Sequence, residues 1–234
     1  MINLNSPLPE VILNSLVAPS AVQNHSVHVD SDRWQKALHE RGLPTARGKF
    51  ATGGKITISR AEIFTIGQQI PTREGSMQLL YHALAWGLGM RASWLHLRLN
   101  GLAKNPDHAA ATLEASWTAA RSGASPSSVY RTLTTERGGG RIQQLGPAFG
   151  TKFMYFAEGT SPMPKHLILD RVVAGKLKKL EVWPDARTDT WAPGTYESYC
   201  QLLKQWAAEA TQRLDVDPPV RADQIEMTLF KVKL

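Results

Sequence analysis

Two residues of this 234-residue chain, Lys152 and Asp170, have types that can do chemistry. A lysine amine can act as a nucleophile and form a Schiff base with a carbonyl carbon. A carboxylate held in place can stabilise positive charge that builds in a transition state. Each residue also has a structural reading. A lysine beside a glycine-containing turn most often contacts a phosphate, and an aspartate before a helix most often only caps it. The two stand 18 residues apart, and only acting as a pair would they be more than a phosphate contact and a cap.

The surrounding sequence predicts how the two are held. Arg141–Leu145 reads as a short apolar-periodic turn running into Gly146-Pro147-Ala148-Phe149-Gly150, and Thr151–Ala157 as a helix of good formers. Two helices joined by a tight glycine-containing turn expose unpaired N–H groups at the start of the second. With the positive end of the helix dipole, these groups bind a phosphate. Gly146, Phe149, Gly150 and Thr151 are the expected hairpin contacts. Lys152 then falls in the first turn of the second helix, where cations are disfavoured and a structural lysine is unusual. Farther on, the apolar run Leu167-Ile168-Leu169 ends at Asp170, and helix-forming Arg171-Val172-Val173-Ala174 follows. Asp170 is therefore expected to cap that helix, partly buried and fixed by backbone amides rather than by water.

The unit Leu145-Gly146-Pro147-Ala148-Phe149-Gly150-Thr151-Lys152, with an aspartate capping a helix downstream, resembles the helix-hairpin-helix DNA glycosylase superfamily. The 8-oxoguanine glycosylase branch is the nearest match, and its hairpin typically reads Leu-Pro-Gly-Val-Gly-x-Lys. On that resemblance Lys152 falls on the catalytic lysine and Asp170 on the catalytic aspartate. The resemblance implies a mainly α fold of two helical lobes with the active site in a cleft between them. It implies a bifunctional glycosylase and abasic-site lyase acting as a monomer on double-stranded DNA, with 8-oxoguanine as the excised base and with no metal or cofactor. This chain departs from the pattern in three ways. Its hairpin glycines, Gly146 and Gly150, are four apart rather than two, so the turn is wider. The four-cysteine cluster of the endonuclease III branch is absent, and the Asn-Asn-Arg-type probe loop matches no particular segment.

A base inside a duplex is unreachable, so such an enzyme flips it into a pocket. Trp86, between Ala85 and Gly87, offers a ring to stack on the extruded base, with a core role as the alternative. Gln68 offers an amide to a base edge, with a helix C-terminus as the alternative. Phe153, in the apolar run after Lys152, is a third pocket candidate or a core residue. His82, His96 and His166 have no metal-ligand spacing. The loop Arg41–Lys55, with Arg47, Lys49 and Lys55, is either a phosphate-contacting surface or a solvated basic loop.

Helical spacing dominates the elements that must position these groups. Ser31 and Asp32 are read as capping a helix to about Leu38. Residues 41–58 read as a loop in which residues 55–58 alternate like a short strand. Ser59 opens a helix Arg60–Gln69 ended by Pro71. Glu74–Leu88 carries a stripe of Met77, Leu80, Tyr81, Leu84 and Ala85. Arg91–Leu102 follows, then a helix capped by Asn105 and running to Arg121. Another begins at Ser125-Pro126-Ser127 and ends at Gly138-Gly139-Gly140. Tyr196–Leu214 and Ala222–Phe230 are amphipathic. The expected organisation is one unit, 1–234, with an irregular segment 1–58 and a helical lobe 59–137. The hairpin and aspartate segment, 138–180, and C-terminal helices, 181–234, complete it.

Composition fits this reading. Hydrophobic residues make up 42% and charged residues 20%, which suits a globular core rather than disorder. The net charge of +7 favours a polyanionic partner. The single cysteine, Cys200, excludes an internal disulfide and four-cysteine metal sites. The opening MINLNSPLPEVILNSL lacks a basic signal-peptide n-region, and no stretch approaches the roughly 20 apolar residues of a membrane span. A cytoplasmic, nucleoid-associated protein is expected. Two other readings stay open: a glycosylase acting on hypermodified phage bases in anti-phage defence, and a non-catalytic helix-hairpin-helix module that only holds DNA backbone.

Overall fold

The chain folds mainly into helices, and the computed structural model describes residues 1–91, 94–135 and 140–234. Two short helices, α1 (Glu10–Leu13) and α2 (Pro19–Gln23), lead into strand β1 (Ser26–Asp30) and helix α3 (Ser31–His39). A 3-10 turn, Gly48–Thr52, precedes β2 (Lys55–Ser59), which pairs antiparallel with β1 from Ser26↔Ser59 to Asp30↔Lys55. Then follow α4 (Arg60–Gly67), α5 (Arg73–Leu88), α6 (Leu95–Ala103), α7 (Pro106–Arg121) and α8 (Pro126–Thr134). The chain closes with α9 (Pro147–Ala157), α10 (Arg171–Lys179), α11 (Pro193–Leu214) and α12 (Ala222–Lys231).

Caps written in the sequence set many of these boundaries. Ser59 and Glu62 form a reciprocal capping box on α4, and Thr72 Oγ1 accepts from the Gly75 amide at the start of α5. Asn105 and Ser125 cap α7 and α8 as their positions predict. The cap of α3 differs from expectation. Asp30 accepts from Arg33 N, while Ser31 Oγ donates to Phe50 O and Asp32 accepts from Gly54 N. Ser31 is buried by its contact with the 3-10 turn, so the last strand residue takes the capping role.

The segment 1–58 is not irregular: it contains α1, α2, α3, the 3-10 turn, β1 and most of β2. β1 escapes a sequence reading because Ser-Val-His-Val-Asp is short and carries only two apolar residues. Farther along, Gly138 and Gly139, expected to end α8, lie outside the described residues.

The core is organised on α5, which packs on α4, α7, α9 and both strands. Its predicted one-sided stripe is instead a helix buried all round from Ser76 to Trp86, because neighbours cover every face. α9 is buried in the same way from Gly150 to Ala157. Among the described residues no helix is long and apolar enough to cross a membrane.

Candidate active site

Gly146 starts α9 in the left-handed region, at φ 75°, and Pro147 occupies the first helical position, where its fixed φ suits the helix and its missing N–H costs nothing. The helix thus begins four residues earlier than its propensities indicate. Lys152 therefore lies in the second turn, not the first. The amides left free at the helix start are those of Ala148 and Phe149, since Gly150 N already bonds to Gly146 O at 3.1 Å. The preceding arm is also not a helix. Residues 142–145 form a turn closed by Leu145 N to Ile142 O at 3.3 Å, and Gln144 sits at φ 62°. Positive φ at Gln144 and again at Gly146 interrupts any right-handed helix there. The helix preceding the turn in the chain is α8, which packs against α9.

Asp170 caps α10 as predicted. Its Oδ1 accepts from Val172 N at 2.9 Å and Val173 N at 3.2 Å. Its Oδ2 lies 3.3 Å from Lys152 Nζ. The lysine side chain is 8% exposed and the aspartate 18%, so the pair is sheltered but reachable from solvent. Thr151 ties the two segments together: its Oγ1 accepts from Leu169 N at 3.2 Å and donates to a carbonyl, with Leu169 O at 3.0 Å and Ala148 O at 3.1 Å. One buried threonine thus fixes the helix that carries Lys152 to the residue preceding Asp170.

Phe149 is half-buried, with its ring centroid 5.8 Å from Lys152 Nζ. Gly150 is buried, and a Cβ there would lie 3.2 Å from Thr134 Cγ2. Gly87 of α5 has a sharper role. A Cβ on it would meet Phe149 Cε1 at 2.9 Å, Lys152 Cδ at 3.0 Å and Lys152 Cε at 3.2 Å. The lysine stem crosses α5 where a side chain is missing. Gly87→Ala is expected to leave the fold intact, because the crowded atoms are side-chain ends, while displacing Nζ. If Lys152 is the nucleophile that the sequence leads one to expect, covalent adduct formation should fall roughly 10-fold or more, since small misplacements of a reacting group are costly. Single-turnover kinetics beside a thermal melt would measure both, and an unchanged rate would contradict the crossing's importance.

The three pocket candidates do not gather at the pair. Trp86 is 6% exposed, donates Nε1 to His25 O at 3.2 Å and meets Phe156 edge-on at 5.7 Å. Phe153 is fully buried. Both rings belong to the core, and neither presents an open face. Gln68 is the C-cap residue of α4 and donates to Thr160 Oγ1. In the basic loop, Arg47 pairs with Glu74 and Lys49 with Glu62. His82 bonds Gln78 O at 2.8 Å, His96 meets Arg41, and buried His166 pairs with Glu158 at 3.1 Å. A cavity of about 690 Å³ opens at the start of α9, bordered by Arg98, Tyr130, Thr134, Gln144 and Gly146; neither Lys152 nor Asp170 lines it.

Sequence reasoning missed a buried ionic cluster one turn along α9. Arg60 Nη1 lies 3.0 Å from Glu226 Oε2 and 3.3 Å from Tyr155 Oη. Tyr155 donates to Asp223 Oδ2 at 2.8 Å, and Arg221 closes on the same carboxylate at 2.7 Å. Burial pushes the Glu226 carboxyl above its ordinary pKa, with Arg60 opposing and Asp170 adding to the rise. Burial also opposes the charge on Arg60, but Glu226 and Tyr155 outweigh it and hold its pKa up. The cluster joins α4, α9 and α12 beside the Lys152–Asp170 pair. No local signal reveals it, because Arg60 and Glu226 are 166 residues apart and meet only through helix packing.

Residues 20–230 match the family model described as "Putative 8-oxoguanine DNA glycosylase OGG-like protein". No curated protein and no solved structure matches the chain.

Proposed function

Because the chain belongs to the 8-oxoguanine DNA glycosylase OGG-like family, we propose that it extrudes a modified base from double-stranded DNA and excises it with Lys152 as nucleophile and Asp170 as the stabilising carboxylate. The observation that carries this reading is the 3.3 Å approach of Nζ to an aspartate whose other oxygen is pinned by two backbone amides. Such a carboxylate stays in place as charge develops, without reorganisation at the moment of reaction.

The chemistry follows from these groups. The lysine amine, after giving up a proton, bonds through Nζ to the sugar C1′. The C1′–N bond breaks, and its electron pair leaves with the base, which takes up a proton. Asp170 offsets the positive charge that builds on the sugar in between. Opening of the sugar ring gives the imine. Loss of a C2′ proton then expels the 3′ phosphate and nicks the strand. The protein acts as a monomer, in a cleft between two helical lobes.

The family points to 8-oxoguanine as the base, and a panel of duplexes carrying different modified bases tests this directly. Release of 8-oxoguanine in preference to the normal bases is the expected result. Preferential release of a bulky hypermodified base would instead assign the enzyme to phage defence. The basic excess of +7 also predicts that DNA affinity falls steeply with salt, as counterions are released at each phosphate contact. No released base from any duplex, together with a salt slope near zero, would overturn the reading.

A further inference from the structure

The run Leu167-Ile168-Leu169, which leads into Asp170, is buried yet belongs to no helix or strand. Its backbone groups therefore lack the partners that a helix or a sheet supplies, and burying them unpaired is costly. Three side-chain hydroxyls fill that role. Tyr196 Oη accepts from Leu167 N at 3.1 Å and donates to Leu167 O at 2.8 Å. Tyr199 Oη donates to Ile168 O at 2.7 Å. Thr151 Oγ1 meets both groups of the third residue, Leu169 N at 3.2 Å and Leu169 O at 3.0 Å. Each of the three residues before Asp170 is thus held by a hydroxyl of its own. Two come from α11 and one from α9, where it adjoins Lys152 in the chain. All three side chains are buried. Burial holds both phenols well above their ordinary pKa, so they remain protonated donors. The Tyr196 ring is in turn stacked on Tyr130 at 4.8 Å, which steadies the α11 side.

We propose that Thr151, Tyr196 and Tyr199 are positioning residues whose hydroxyls together set the Asp170 carboxylate against Lys152. The proposal rests on the reading of Lys152 and Asp170 as the reacting pair. Downstream, Asp170 is anchored by the Val172 and Val173 amides, but that cap fixes it only to α10. The hydroxyls fix the upstream side, and Thr151 ties it to the helix that carries Lys152. Losing one hydroxyl leaves buried backbone groups unpaired, and the run shifts toward other partners. A displacement of about 1 Å at a reacting group lowers a rate by about 100-fold.

The test compares the parent with Thr151→Val, Thr151→Ser and Tyr199→Phe, and with Thr211→Val as a control. Thr211, in the last turn of α11, also bridges two segments: its Oγ1 accepts from Val220 N and donates to Ala207 O, both at 2.8 Å. Valine and phenylalanine keep the packing and remove only the hydroxyl. Single-turnover excision from an 8-oxoguanine duplex is expected to fall roughly 10–100-fold in Thr151→Val and Tyr199→Phe, with DNA affinity unchanged. Hydrogen exchange at the Val173 amide, which Asp170 caps, should quicken roughly 10-fold in both. Thr151→Ser should restore rate and protection, while Thr211→Val should lose stability alone. If Thr151→Val does not fold, Tyr199→Phe carries the same comparison. Excision and Val173 exchange that change no more than in Thr211→Val overturn the proposal, as does a serine variant no better than the valine one. Faster Val173 exchange in the variants of a parent that releases no base would support the positioning of Asp170 while removing the catalytic reading of the pair.

Discussion

Asp170→Asn is expected to leave the protein folded and DNA-binding but to lower base excision by about 10²–10³-fold or more. On the proposed function the residue has a catalytic job beside its capping one, and this substitution separates the two. Its Oδ1 accepts from the Val172 and Val173 amides, and an asparagine oxygen accepts equally well. The loss of stability should stay near 1–2 kcal/mol, combining a slightly weaker cap with the lost attraction to Lys152. A neutral amide, however, cannot offset an oxocarbenium-like charge as a carboxylate does. Affinity for lesion DNA should be unchanged or tighter, because a negative charge near phosphates has been removed. Asp170→Ala should lose activity and, lacking any capping oxygen, roughly a further 1 kcal/mol. Thermal melts, affinity and single-turnover excision separate these outcomes. If Asp170→Asn excises normally while Asp170→Ala is merely less stable, the aspartate is a cap and the catalytic reading fails.

Lys152→Gln carries the second large effect. Glutamine nearly keeps the length of the stem that crosses Gly87 and retains a donor toward Asp170, so folding and DNA binding should persist. The amide has no nucleophilic lone pair to offer C1′. Borohydride-trapped adduct should vanish, and strand nicking with it. Excision should fall by orders of magnitude, with only residual cleavage assisted by Asp170. A glutamine variant that nicks DNA at the parental rate would place the nucleophile elsewhere.

What was legible in the sequence was local. Ser59, Asn105, Ser125 and Asp170 announce their helices because a cap is a matter of a few adjacent residues. The approach of Lys152 to Asp170 was legible for the same reason: a turn, a helix, an apolar run and a cap bring them together within one segment. The start of α9 was misjudged although its signal was present. Gly146-Pro147 is a left-handed residue followed by a helix-compatible proline, and it outweighs the propensities of the residues after it. Trp86 shows the limit of local reading. Ala-Trp-Gly on a helix end leaves a base-stacking ring and a core ring both open, and the contacts that decide for the core, with His25 just before β1 and Phe156 of α9, are not written near residue 86. The Arg60–Glu226 pair is illegible altogether, since it exists only once α4 and α12 are packed.

The most direct measurement is the site of the covalent bond itself. The parent protein is incubated with a duplex containing 8-oxoguanine, reduced with borohydride, digested with protease and nuclease, and the cross-linked peptide is sequenced by mass spectrometry. The account predicts a single modified peptide with the deoxyribose remnant on Lys152 Nζ. A remnant on another lysine or on the N-terminal amine, or no cross-link on any duplex from which base is released, would contradict it.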